Sequence, residues 1–237
     1  MEIIQPKIWT KNEIRVEIAK QLASARDDIY YFADHCYTVD THNKVDVVSK
    51  FPWQKRYVKE LLRLATKCDK LAVYKSRQMM VTWTMCIVVL HELLFVPGAN
   101  IGLISKKEED AGKVVMRIKT IYDRLPLHWR VSLPTPQFYK GKKGIIVRWV
   151  MNHPNGQPDS VLAAFPSGED QVRMETFSLI YWDEVGIAPD LDARGTYTAL
   201  KPTLDGGGRL LMSSTPPKDE NHFWYLVCSG QYFQGAQ

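Results

Sequence analysis

Lys70-Leu71-Ala72-Val73-Tyr74-Lys75-Ser76-Arg77-Gln78-Met79-Met80-Val81-Thr82 is the stretch on which the fold turns. Its first five residues are largely apolar and bounded by charge, which is the pattern of a short buried strand. The next six are polar or unbranched, and after Val81 the chain from Thr82 to Phe95 is largely apolar at helical length. The order is strand, loop, helix, with a lysine entering the loop and a hydroxyl leaving it. Downstream lies a second decisive segment, Phe177-Ser178-Leu179-Ile180-Tyr181-Trp182-Asp183-Glu184, an apolar strand that ends in two adjacent carboxylates.

The bulk composition narrows the class. The 237 residues suffice for one sizeable core, and 45% hydrophobic with 24% charged residues is ordinary for a globular chain. No apolar run approaches the length of about 18 residues that reads as a spanning helix. The first thirty residues are mixed and charged, unlike a signal peptide. Cys36, Cys68, Cys86 and Cys228 are scattered, with no C-x-x-C pair, so neither a zinc site nor a disulfide framework is expected. A net charge of +5 is compatible with a polyanionic partner without demanding one.

Working outward from the loop, residues 10 to 36 read as helical, with Ile14, Ile18, Leu22 and Ala25 at helical spacing and Thr10 with Glu13 placed as a capping box. Residues 37 to 50 are polar and read as a loop. Trp53 to Thr66 reads as a helix with Pro52 at its start. Ile101 to Ser105 reads as a strand and Glu108 to Arg124 as a helix closed by Pro126. Gly144 to Met151 and Val161 to Phe165 flank the turn-rich His153-Pro154-Asn155-Gly156, which predicts a hairpin. A short helical turn is expected at Thr196 to Leu200, and a last strand at Arg209 to Met212 after Asp205-Gly206-Gly207-Gly208. Helices alternating with apolar strands predict an α/β fold with a mostly parallel central sheet flanked by helices.

A phosphate-binding loop works through backbone N–H groups at a helix N-terminus, a lysine that neutralises charge and a hydroxyl that meets Mg²⁺. The common spacing is G-x-x-x-x-G-K-[ST]. Here Thr82 holds the hydroxyl position, but Val81 stands where the lysine belongs and Met80 where the second glycine belongs. The lysine is Lys75, at the front. A side chain at position 80 crowds the loop if that residue needs a positive φ. Paired acids at a strand end suit the other half of such a site. Their side chains diverge, so Asp183 can hold Mg²⁺ through water while Glu184 polarises the attacking water.

The loop resembles the deviant Walker A motif of the large terminase subunits of tailed bacteriophages, some of which carry Ser-Arg-Gln-x-Gly-Lys-Thr and others Lys-Ser-x-Arg-x-Gly-x-Ser. The resemblance runs over residues 50 to 227 and includes five segments in the family's order. It implies a P-loop NTPase fold of the ASCE, RecA/helicase-like kind, with a helical N-terminal lid in residues 1–50 and an ATPase core in 51–237. The family's C-terminal ribonuclease H-like nuclease domain has no counterpart among the acids of this chain, so no nuclease activity is expected. The implied cofactors are ATP and Mg²⁺.

The resemblance also implies roles. Lys75 is the phosphate-contacting lysine within a nucleotide-binding loop of Ser76, Arg77, Gln78, Met79, Met80 and Val81, and Thr82 is the magnesium-linked hydroxyl beside Asp183. Glu184 is the general base. Arg77 corresponds to an arginine discussed as a finger that stabilises transition-state charge, and Arg194 is a weaker candidate for an intersubunit finger. Phe51-Pro52-Trp53-Gln54-Lys55-Arg56 resembles the adenine motif, with Gln54 reading the base edge. Ser213, Ser214 and Thr215 resemble the coupling motif that senses hydrolysis. Lys106, Lys107 and Lys113 are candidate contacts to a nucleic-acid backbone.

The function so implied is ATP hydrolysis that drives double-stranded viral DNA into a procapsid. It implies work in the bacterial host cytoplasm with a portal protein and a small terminase subunit. The chain is expected as a monomer in isolation and as a homo-oligomeric ring when assembled. Two other readings stay open on the residues alone: another nucleic-acid-dependent ATPase such as a helicase, and a module that binds nucleotide or DNA without hydrolysis.

Overall fold

The computed structural model describes residues 10–42, 45–76, 79–141, 144–168, 176–187, 190–216 and 223. The main sheet has seven strands: β3 (Lys70–Tyr74), β4 (Asn100–Ser105), β5 (Thr135–Lys140), β6 (Ile146–Asn152), β7 (Ser160–Pro166), β8 (Leu179–Asp183) and β9 (Arg209–Ser214). Their spatial order is β3-β9-β8-β4-β7-β6-β5. The pairs from β3 to β7 are parallel, and β6 and β5 add an antiparallel edge. The chain leaves β3, crosses over α4 (Val81–Phe95) to β4, and only later fills the gap with β8 and β9. One strand, β9, therefore lies between β3 and β8, the strand that ends in Asp183.

Alternation along the central strands splits the core in two. Leu71, Val73, Ile101, Leu103, Leu179, Tyr181 and Leu211 face one cluster, together with α3 (Arg56–Lys67), α4 and α5 (Glu108–Arg124). Ala72, Ile104, Ile180, Trp182, Leu210 and Met212 face the other, under α7 (Asp190–Asp205). Period-two geometry on strands buried from both sides gives this division. Helix α4 runs through the middle of the first layer and is buried nearly all round, as its uniformly apolar sequence requires.

The N-terminal residues depart from the expected continuous helix. The capping box of Thr10 and Glu13 forms, and opens α1 (Lys11–Asp27). At Asp28 the chain breaks into an extended residue, whose carboxylate accepts from the Tyr30 N–H and starts α2 (Ile29–Asp34). Residues 37 to 50 are not a loop. They pair as an antiparallel hairpin of β1 (Tyr37–His42) and β2 (Val45–Lys50). The segment is rich in β-branched threonine and valine, and β2 is exposed throughout, so polarity disguised a strand composition.

Further elements escaped the sequence reading in whole or part. Helix α7 spans sixteen residues rather than one turn. Gly195, Thr196, Thr198 and Pro202 make its local propensity poor, but Ala193, Leu200 and Leu204 lie on one face and are buried against the sheet. Strand β5 tolerates Pro136 because it is an edge. Helix α6 (Leu127–Ser132) is one short segment anchored by Trp129, whose indole N–H donates to Gln21. Helix α3 begins at Arg56 rather than Trp53, after a turn through Pro52 to Lys55.

Candidate active site

Odd-numbered residues of β3, β8 and β9 face α4, so the first polar residues past the apolar run on that face are Lys75, Asp183 and Ser213. The parallel register sets Asp183 beside Ser213, and Tyr74 beside Ser214. Three strand ends therefore deliver a cation, a carboxylate and a hydroxyl to the first turn of α4. This is the carboxyl end of a parallel sheet, where open α/β folds place their ligands.

The distances are those of a closed polar cluster. Lys75 Nζ lies 3.0 Å from Thr82 Oγ1, 3.0 Å from Asp183 Oδ1 and 3.0 Å from Glu184 Oε1. The side chains of Lys75 and Asp183 are each only 9% exposed, and that of Glu184 is 30% exposed. Asp183 Oδ1 also accepts from the Tyr181 hydroxyl at 2.9 Å and from Ser213 Oγ at 2.8 Å. Glu184 Oε2 accepts from the backbone N–H and the hydroxyl of Thr215, both at 3.2 Å. Ser214 accepts through Oγ from the Gly186 N–H at 3.0 Å, and its carbonyl accepts from the Lys75 N–H at 2.9 Å. A Cβ at Gly186 would come within 2.9 Å of that Oγ, so glycine permits the approach.

Backbone strain is concentrated here. Among the described residues, the non-glycine ones with positive φ are Met80 (57°), Asn155 (61°) and Glu184 (55°). Asn155 sits in the turn between β6 and β7, where its side chain tolerates that conformation. Met80 and Glu184 are less suited to it, and both border the Lys75 cluster. Left-handed backbone costs an L-residue about 1–2 kcal/mol, and such residues gather at functional sites. The positive φ at 80 accounts for the glycine expected there. Val81, in the usual lysine position, is packed into the core.

Tyr181 was not singled out by sequence reasoning. It is fully buried, and burial, with the Asp183 carboxylate next in effect, pushes its phenol well above the ordinary tyrosine range. It is therefore a neutral hydroxyl. Its signal in the sequence is parity: a tyrosine two residues before an acid on an otherwise apolar strand shares that acid's face.

The remaining sequence candidates fall as follows. Ser76 and Met79 are exposed, and Arg77 and Gln78 lie outside the described residues. Gln54 donates to Asp34 at 3.3 Å, sharing that carboxylate with Trp53 at 2.9 Å and Lys50 at 3.0 Å. Arg194 is exposed on α7. Lys106 and Lys107 are exposed before α5, and Lys113 pairs with Asp110 at 2.7 Å on its outer face.

The donor set fits a Mg²⁺-nucleotide. Thr82 and Asp183 converge on one ammonium, and none of the described residues bonds Asp183 Oδ2. Mg²⁺ takes one or two protein oxygens and completes its shell with phosphates and water, a demand that the Thr82 hydroxyl and the Asp183 carboxylate can meet.

No protein-family profile matches the chain. Solved structures do. The large terminase ATPase domain of Thermus phage P74-26 is 20% identical, with a TM-score of 0.50 over 73% of this chain and 73% of that one. The large terminase of bacteriophage HK97 is 14% identical, with a TM-score of 0.58 over 86% of this chain and 41% of its own. A large terminase from a thermophilic bacteriophage is 11% identical, with a TM-score of 0.53 over 78% of this chain and 43% of its own. The chain shares the fold of the ATPase domains of phage large terminases, and spans under half the length of the last two proteins.

Proposed function

We propose that this chain is the ATPase domain of a DNA-packaging motor of the large-terminase kind, hydrolysing ATP to move double-stranded DNA into a viral procapsid. The observation that carries the reading is the meeting of Lys75, Thr82, Asp183 and Glu184 around one ammonium at 3.0 Å. A lysine, a hydroxyl and two acids from three separate segments have little reason to share a sheet end except to hold a charged ligand. The shared fold supports the same reading. In this proposal residues 51–237 are the ATPase core and residues 1–50 its N-terminal lid. Its partners are DNA, a portal protein and a small terminase subunit, with assembly as a ring and work in the host cytoplasm. Among the described residues no helix is long and apolar enough to cross a membrane.

In this mechanism Lys75 exchanges its carboxylate partners for oxygens of the triphosphate. The N–H groups at the start of α4 add positive potential there. Glu184, released from the ammonium, accepts a proton from a water that attacks the γ-phosphorus in line, as the bond to the β-phosphate oxygen breaks. Bound Mg²⁺ supplies neutralisation of charge on the phosphates, with Thr82 and Asp183 as its protein side. Gln54 serves the adenine, and Arg77 and Arg194 are the proposed arginine contributors, in cis or from a neighbouring subunit. Ser213, Ser214 and Thr215 couple the event to the sheet, since each bonds to the segment carrying the acids or the lysine.

The test is Glu184→Gln. Loss of a positioned general base is expected to lower turnover by about 10²–10⁴-fold while ATP still binds. Wild-type turnover in that variant removes Glu184 from its role. An absence of turnover in the unaltered protein, with nucleotide bound, points instead to a binding module.

A further inference from the structure

Packing alone would be served by phenylalanine at position 181. The hydroxyl there is wholly buried, and burying it unpaired would cost about 1–3 kcal/mol. It is paired instead with two polar groups that are themselves buried: Asp183 Oδ1 at 2.9 Å and Ser213 Oγ at 2.9 Å. Ser213 in turn reaches the same Oδ1 at 2.8 Å. The two hydroxyls stand side by side on adjacent strands, and each carries one hydrogen that it can donate to that same carboxylate oxygen. Lys75 is the third donor to that oxygen. Among the described residues, nothing bonds Oδ2.

We propose that Tyr181 is a positioning residue for the metal carboxylate: its hydroxyl, with that of Ser213, holds Asp183 by Oδ1 and leaves Oδ2 for a hydrated divalent cation. The inference rests on the nucleotide-hydrolysis reading above. The reason a second anchor is needed is the resting position of Lys75. In the structure the ammonium helps to hold Asp183, but a triphosphate draws it away. Without Tyr181 and Ser213 the carboxylate would lose its orientation at the moment the cation arrives. Two fixed hydroxyls keep the rotamer through that exchange. Groups that orient a metal-bound side chain from behind commonly change metal affinity by about 10–100-fold when removed.

The test is Tyr181→Phe in the full chain, read by Mn²⁺ binding. Electron paramagnetic resonance counts free Mn²⁺ in the presence of a non-hydrolysable ATP analogue, and a fluorescent ATP is titrated in EDTA for metal-free affinity. Mn²⁺ affinity is expected to fall about tenfold, with metal-free nucleotide affinity within about twofold of wild type. In turnover, the Mg²⁺ needed for half-maximal rate rises while the KM for ATP at saturating metal stays put. Unchanged Mn²⁺ affinity overturns the proposal. So does an equal loss in EDTA, which would make Tyr181 a packing residue. Ser213→Ala removes the other anchor and is expected to weaken Mn²⁺ in the same way, which keeps the proposal testable if Tyr181→Phe does not fold. If the wild-type protein binds no nucleotide with or without metal, the hydrolysis reading itself fails.

Discussion

Replacing Lys75 by methionine keeps the aliphatic stem and removes the charge, so it isolates what the ammonium does for the fold. In the wild-type site one cation faces two carboxylates at 3.0 Å, and the Lys75 and Asp183 side chains are 9% exposed. Removing one partner of a buried pair costs about 3–5 kcal/mol. The figure is lower here, because Asp183 keeps the Tyr181 and Ser213 hydroxyls and Glu184 keeps two donors from Thr215. A loss of about 2–3 kcal/mol follows, or a fall in Tm of roughly 5–10 °C for a domain of this size. The assay is denaturant unfolding in EDTA without nucleotide, at neutral pH. Adding Asp183→Asn is expected to restore most of the stability at neutral pH. A Lys75→Met protein as stable as wild type, or a double variant no better than the single one, would refute the account of the cluster.

Two further predictions concern the loop and pH. At Met80 the positive φ makes Met80→Gly nearly neutral, since relief of about 1 kcal/mol of backbone strain is offset by glycine's unfolded-state entropy. Met80→Val is expected to destabilise by about 1–3 kcal/mol; equal unfolding midpoints for the two variants would speak against the left-handed loop. His91 is half-buried between Phe32 and Phe95 with Nε2 on the Ala25 carbonyl at 2.9 Å, and desolvation lowers its pKa from the ordinary 6.5. The unfolded chain takes up that proton first, so stability is full above about 6.5 and declines below it by up to about 1.4 kcal/mol per pH unit. His153 shifts in the same direction, also chiefly through burial. His91→Gln is expected to flatten the acid limb; an unaltered pH profile in that variant would assign the decline to other groups.

Sequence alone determined the parts of this protein that depend on local pattern. Apolar runs of strand length bounded by charge place β3 and β8, and an apolar helix stopped by proline and glycine places α4. The order of loop, acids and hydroxyl segment follows directly from the chain. The shifted lysine was legible because position 81 holds valine while Lys75 precedes the loop. Tertiary structure decided what local pattern cannot carry. Strand order put β9 between β3 and β8, and only that order brings Ser213 to Asp183 and Thr215 to Glu184. Helix α7 exists against its own propensity, because the second face of the sheet needs covering. The polar hairpin at the N-terminal side pairs through its backbone, to which side-chain polarity is blind. Tyr181 reads in the sequence as one more large strand residue. Its role appears once parallel pairing sets two polar residues of a neighbouring strand within reach of its hydroxyl, because a buried hydroxyl must find its partners across strands that lie far apart in the chain.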